Sequence, residues 1–198
     1  QQADVTAEDF WAQWRGRQRI EQYQDNIIAR GHGGYRVVAR RACVYTLALN
    51  GIEVSGAEVD TLMAAWEELR PFDDVVPAFE RLTGRYQLVA LSNGEPPYLE
   101  HLAENRIGWS FDRIISVQIA GAFKPDPAVY HRAADVLGLA PSECLMVSAN
   151  SFDVMGARLC GFRGAFVNRE GLPYEDSPAR PDLEVADFTT LADELLAG

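Results

Sequence analysis

A chain of 198 residues suits one globular domain, or one core with a small inserted cap. With 47% hydrophobic and 24% charged residues it has the composition of an ordinary globular protein with a sizeable core. A formal net charge of −11 argues against a nucleic-acid surface or an anionic membrane as partner, yet leaves room for a small anionic substrate in a local basic pocket.

Residues 6–67 carry a helical pattern with no convincing strand. Thr6 ahead of Glu8 and Asp9 marks a helix start, and Phe10, Trp11, Trp14 and Ile20 offer an apolar face. Gly31-His32-Gly33-Gly34 breaks that helix. A second helix carries Val37, Val38, Ala42, Tyr45 and Leu49 at helical spacing and ends near Asn50-Gly51. Ser55 opens a third, which runs through Leu62 and Trp66.

From Pro71 onward helices alternate with short apolar strands. Residues 75–82 read as a helix, and 86–91 as a buried strand ending at Ser92-Asn93-Gly94. Residues 98–105 are helical, and 114–117 form a second strand followed by a loop to Lys124-Pro125-Asp126-Pro127. Residues 128–137 are helical, with Pro127 well placed in the first turn. Residues 144–147 form a third strand ending at Ser148, 152–160 a helix, 164–167 a fourth strand, and 173–182 a surface loop. This alternation predicts an α/β fold, a parallel sheet covered on both faces. No apolar run approaches a membrane span and no signal-peptide pattern opens the chain. Cys43, Cys144 and Cys160 have no metal-ligand spacing and read as free thiols in a reducing cytoplasm. His32, His101 and His131 are far apart, so a zinc cluster would have to be assembled wholly by the fold.

In an open parallel sheet, ligands bind beyond the carboxyl ends of the strands. Three polar clusters fall there: Ser92-Asn93-Gly94, Lys124, and Ser148-Ala149-Asn150 with Asp153. Singly each reads as a turn or a solvated side chain; in order at one end of one sheet they point to a site.

Leu91-Ser92-Asn93-Gly94, Phe123-Lys124-Pro125-Asp126-Pro127 with Tyr130, and Val147-Ser148-Ala149-Asn150-Ser151-Phe152-Asp153 resemble the second, third and fourth motifs of the haloacid dehalogenase superfamily. Within it they most resemble the L-2-haloacid dehalogenases. Trp14-Arg15 followed by Gln18 is similar to the cap segment that supplies that family's active-site arginine, and the likeness extends to Phe166-Val167-Asn168-Arg169. The resemblance implies a Rossmann-like parallel-sheet core, residues 69–198, with a helical cap, residues 1–68. Superfamily phosphatases hold Mg²⁺ with carboxylates, one of them at the position of Ala149, which cannot ligate a hard cation. Without that metal, phosphoryl transfer loses its main means of neutralising charge, so the resemblance implies a hydrolase with no metal and no cofactor.

The implied chemistry is a two-step displacement. An aspartate carboxylate attacks the carbon bearing the halogen, and water then hydrolyses the ester. By the resemblance, Arg15 faces the departing halide, and Lys124 orients the nucleophile and is itself positioned by Asp153. Ser92 and the Asn93 backbone take the substrate carboxylate, and Ser148 and Asn150 hold the nucleophile and the water. Tyr35, Tyr130 and Phe152 wall the halogen. Plainer roles stand beside these: Lys124 and Asp153 as a structural pair, Arg15 solvated among Arg17 and Arg19, Tyr35 and Phe152 as core, and Trp11, Trp14 and Trp66 as cap packing or subunit contact.

No Asp-x-x-(Gly)-Thr pattern follows an apolar strand in these residues, and Asp4, which precedes a helix and follows no strand, is set aside as nucleophile. In the family that motif lies on the central strand. The expectation is an N-terminal segment beyond this sequence, and a protein of these residues alone would be unstable and inactive. The leading expectation is a cytoplasmic, homodimeric 2-haloacid dehalogenase acting on a small haloacid and releasing halide, with no nucleic-acid or membrane partner. The alternatives are hydrolysis of another carbon–heteroatom bond alpha to a carboxylate, a Mg²⁺-dependent phosphatase, and a non-catalytic remnant.

Overall fold

The computed structural model describes residues 5–197; Asp4 lies outside them. Three helices come first: α1 (Ala7–Ile27), α2 (Tyr35–Leu49) and α3 (Gly56–Ala64), the last extended by a 3-10 turn, Ala65–Glu68. The Thr6 side chain accepts from the Asp9 N–H and so caps α1, and Ser55 and Glu58 form a capping box on α3.

The inner face of α1 differs from the expected apolar one. Trp14 is buried, but Trp11 and Ile20 are exposed, and the other buried positions are Gln18, Glu21, Gln22 and Asp25. Polar side chains can face inward here because α2 brings partners: Arg41 binds both Glu21 and Asp25, and Arg17 adds a second contact to Glu21. Trp14 donates its indole N–H to the Ala39 carbonyl at 2.7 Å. Trp14, Cys43, Leu47, Val59, Met63 and Trp66 share one apolar cluster with Tyr98 and Leu99, so the helical layer rests on the element that follows the first strand.

The remainder is α/β: α4 (Val75–Leu82), β1 (Val89–Ser92), α5 (Pro96–His101, continued as a wider turn through Ile107), β2 (Arg113–Ser116), α6 (Pro127–Leu137), β3 (Leu145–Ser148), α7 (Ser151–Leu159) and β4 (Arg163–Val167). β1 is shorter than expected: the Leu88 carbonyl still accepts the Asp112 N–H at 2.9 Å, but the Leu88 N–H is taken by the Asp112 carboxylate at 2.7 Å, and the strand begins at Val89. Two further elements, β5 (Leu183–Val185) and α8 (Phe188–Ala197), were not anticipated. Only three residues pair β5 with β4, Ala165 with Leu183 through Val167 with Val185, too few for an alternating pattern to show in the sequence.

All paired strands are parallel, in two half-sheets ordered β1-β2 and β3-β4-β5. Among the described residues no ladder joins β1 to β3. Between them runs a cavity of about 910 Å³, walled by Val89, Ala90 and Leu91 on one side and Leu145, Met146 and Val147 on the other, with Phe79, Leu191 and Leu195 also lining it. One end opens where the carboxyl termini of β1 and β3 lie beneath α1.

Asp74 links the two halves of the core from outside the sheet. Its carboxylate accepts two hydrogen bonds from Arg169, at 3.0 and 2.8 Å, and the Phe188 N–H at 2.7 Å, joining the start of α4 to the end of β4 and the start of α8. Burial alone would raise its pKa, but Arg169 and the Phe188 N–H outweigh burial and hold the carboxyl below its usual value. A depressed carboxyl contributes stability that is complete above the unfolded pKa and is lost as pH falls through the folded one. Asp74→Asn should therefore lower the unfolding free energy by about 1–3 kcal/mol in urea titrations at pH 7, with the difference shrinking below about pH 4. Equal stability of the two proteins at pH 7 would remove this role.

Candidate active site

The site is built where β1 and β3 end. The Lys124 ammonium donates to the Leu91 carbonyl at 2.8 Å and to Asp153 Oδ2 at 2.9 Å, and Tyr130 donates its hydroxyl to Asp153 Oδ1 at 2.9 Å. Lys124 is 7% and Asp153 5% exposed, so both charges stand out of water and each is answered by a short contact. Burial first, and the Asp153 charge second, push the Tyr130 hydroxyl far above its usual pKa, so it remains a donor. Gly156 makes the arrangement possible: a Cβ there would stand 2.8 Å from both the Tyr130 hydroxyl and Pro125 Cβ.

The loop that carries Lys124 is pinned from two sides. The Lys124 N–H donates to Asn93 Oδ1 at 2.9 Å. The Asn26 amide, from α1, closes a reciprocal pair with Phe123, accepting its N–H at 2.9 Å and donating to its carbonyl at 2.7 Å. His32 donates Nε2–H to the Asn93 carbonyl at 2.8 Å and lies against the Phe123 ring, with 4.2 Å between centroids. Ser92 Oγ and Ser148 Oγ accept from the N–H of Gly94 and Asn150, at 3.4 and 3.1 Å, which leaves each hydroxyl proton to donate.

Helix α1 lies over the opening. Arg15, Gln18, Arg19 and Gln22, at i, i+3, i+4 and i+7, all line the cavity. The Arg15 guanidinium donates to Gln18 Oε1 at 2.8 Å and to the Tyr35 hydroxyl at 3.3 Å, and sits over the Trp66 ring at 4.9 Å. Among the described residues it has no carboxylate partner.

The cavity brings together Arg15, Tyr35, Ser92, Asn93, Lys124, Ser148, Asn150, Phe152 and Asp153, which is every residue singled out from the sequence except Tyr130. Tyr130 was expected in the halogen wall; it is instead fully buried behind Asp153, because α6 packs its ring against Phe162 and points the hydroxyl at that carboxylate. Trp14 and Trp66 are core, while Trp11 is exposed at their edge. Sequence reasoning did not single out Asn26, His32 or Gly156. His32 carried one signal, its place in a Gly-rich break; Asn26 and Gly156 look like ordinary helix residues until their partners are seen.

The sequence model of the haloacid dehalogenase-like hydrolases matches residues 3–161. The (S)-2-haloacid dehalogenase H-109 of Pseudomonas putida is 31% identical over 185 residues, 92% of this chain and 82% of that protein. A crystal structure of a dehalogenase with an intermediate complex superposes with a TM-score of 0.90 at 28% identity, covering 97% of this chain and 85% of the other. The L-2-haloacid dehalogenase from Xanthobacter autotrophicus with chloropropionic acid covalently bound gives a TM-score of 0.85 at 29% identity, covering 96% and 86%. These matches extend across both the helical layer and the α/β core that form the cavity, and the chain belongs to the haloacid dehalogenase-like hydrolase family.

Proposed function

We propose that this protein hydrolyses short 2-haloalkanoic acids to 2-hydroxy acids, releasing halide, with residues 1–68 acting as a cap over a core of residues 69–198. The observation that carries the reading is the Arg15 guanidinium, held by Gln18, Tyr35 and Trp66 with no carboxylate partner among the described residues, lining one cavity with the Lys124–Asp153 pair.

The nucleophile is a carboxylate held near Lys124. Of the described residues lining the cavity only Asp153 and Glu143 carry one. Asp153 gives one oxygen to Lys124 and the other to Tyr130, and Glu143 accepts the Ala140 N–H. By the resemblance the nucleophile is an aspartate on an extended segment, and the facing edges of β1 and β3, which carry no ladder partner among the described residues, have room for one between them. Its oxygen forms a C–O bond as the carbon–halogen bond breaks, and the halide leaves toward Arg15, where a fixed positive charge meets the developing negative one. Water, placed by Ser148 and Asn150, adds to the ester carbonyl; the acyl–oxygen bond breaks, the 2-hydroxy acid leaves and the aspartate is restored. Ser92 and Asn93 take the substrate carboxylate, and Tyr35 and Phe152 bound the apolar side of the pocket.

Metal independence is part of the reading: Ala149 offers only a methyl group, and both oxygens of Asp153 are engaged. So is a cytoplasmic setting, which suits three buried free cysteines, and a homodimer, which suits the exposed Val37, Val44, Tyr45 and Leu49 of α2.

The full-length protein should release chloride from an enantiomer of 2-chloropropionate without added metal, and turnover in ¹⁸O-water should label an aspartate side chain. Arg15→Lys should lower kcat by roughly 10²–10³-fold, as loss of a positioned donor to developing charge does. Lys124→Ala should abolish turnover. No halide from any short 2-haloacid, or Mg²⁺-dependent phosphate release in its place, would end the proposal. Gly156→Ala should displace Tyr130 from Asp153 and reduce kcat by about 10-fold or more with circular dichroism unchanged, since small displacements of positioning groups act on the rate.

A further inference from the structure

The Lys124 chemistry and Arg15 leave a second α1 cation of the cavity, Arg19, without a role. Arg19 lies one turn beyond Arg15 on the same face of α1 and also lines the cavity. Its guanidinium donates to Asn150 Oδ1 at 3.3 Å and stands 5.8 Å from the centre of the Phe152 ring, so it reaches from the helical layer to the end of β3. Among the described residues it has no carboxylate partner, although Arg17, Arg36, Arg40 and Arg41 of the same layer are all in ion pairs. Beside it in the chain, Gln18 lines the cavity and is 1% exposed; its Oε1 serves Arg15, while its Nε2 is buried and has no hydrogen-bond partner among the described residues. A buried amide with an idle donor is costly unless something accepts from it.

We propose that Arg19 and the Gln18 amide form a second anion subsite, and that the enzyme takes 2-halo dicarboxylic acids, the halosuccinates among them. The reading rests on the dehalogenation proposed above and names its substrate class. The carboxylate beside the reacting carbon goes to Ser92 and Asn93 at the end of β1. The distal carboxylate goes to Arg19 and Gln18 Nε2 beneath α1, on the side of the cavity where β3 ends. A guanidinium fork and an amide N–H suit a carboxylate and offer nothing to an alkyl chain. The reaction is unchanged: the halide leaves, water supplies the hydroxyl, and the product is a 2-hydroxy dicarboxylate.

The test compares kcat/KM of the full-length protein for the enantiomers of 2-chlorosuccinate and 2-chlorobutyrate, which differ mainly in the distal group. The wild-type ratio should favour 2-chlorosuccinate by about 10-fold or more, the effect of one charge-assisted contact. Arg19→Leu should collapse that ratio, with most of the change in KM, and Arg19→Lys should restore part of it. Succinate should inhibit the wild type more strongly than butyrate, and Arg19→Leu should remove that preference. Turnover of 2-chlorobutyrate with no preference for 2-chlorosuccinate, or a ratio that Arg19→Leu leaves intact, overturns the subsite and leaves the dehalogenase reading standing. Chloride from neither compound, nor from 2-chloropropionate, overturns both.

Discussion

The Lys124–Asp153 pair is the constraint on which the rest of the site depends. Lys124 follows β2 and Asp153 follows β3, so the pair spans the two half-sheets at the point where no strand ladder joins them among the described residues. A buried ion pair is seldom a net source of stability, because desolvating two charges cancels most of their attraction. Its value here is positional. The Leu91 carbonyl and the Tyr130 hydroxyl take the remaining contacts of the ammonium and the carboxylate, so each group has one arrangement in which all its partners are present. Removing either partner would leave a buried charge uncompensated, at a cost of about 3–5 kcal/mol, and would free the β1 and β3 ends to move relative to one another.

The second organising feature is the division of charge along α1. A helix buried on one side would ordinarily present apolar residues there, but this one presents Gln18, Glu21, Gln22 and Asp25. Its acids fall opposite α2 and are neutralised by Arg41 and Arg17. Among the described residues its remaining arginines, Arg15 and Arg19, meet only amides, a phenol and aromatic faces. A protein of net charge −11 thereby keeps two cations at the α1 side of the cavity, since the acids of that helix's inner face are already paired with Arg17 and Arg41.

The parts of this arrangement that were legible in the sequence are those set by local chain geometry. Ser92-Asn93, Lys124 and Ser148-Asn150 follow apolar strands, and parallel topology sends such residues to one end of the sheet. Topology sends them to one end of the sheet, and Asn93 and Asn26 then fix the loop that carries Lys124. Tyr130 was misplaced because its helix can turn the ring toward the cavity or away from it, and only packing against Phe162 decides. The polar face of α1 was misread for a related reason: Glu21 and Asp25 look solvated until Arg41, on another helix, is brought to them. β5 and α8 escaped because a three-residue strand has no period to detect, and its identity lies in the partner, β4. Nothing about Gly156 is special within its own helix; its small size matters only because Tyr130 passes beside it.

Arg15 and Arg19, neither with a carboxylate partner among the described residues, differ in surroundings, and in the proposed reaction that difference gives them different work. Arg15 is half-buried against Trp66 and Trp11, at 4.9 and 5.8 Å, partly shielded from water, where a charge that appears during reaction is felt more strongly than in bulk solvent. Arg19 is exposed, and its charge is shared with solvent. A group that interacts equally with ground and transition state lowers KM without raising kcat, whereas one whose interaction grows as charge develops raises kcat. The distal part of a substrate carries the same charge throughout the displacement, so the hydrated Arg19 can select but cannot accelerate. In the proposed reaction the departing halide gains its charge only as the bond breaks, so the half-buried Arg15 can accelerate. Under the proposed roles one helix turn separates recognition from catalysis, and the order along α1 follows the order in which a substrate would meet them: the exposed cation first, the half-buried one at the reacting carbon.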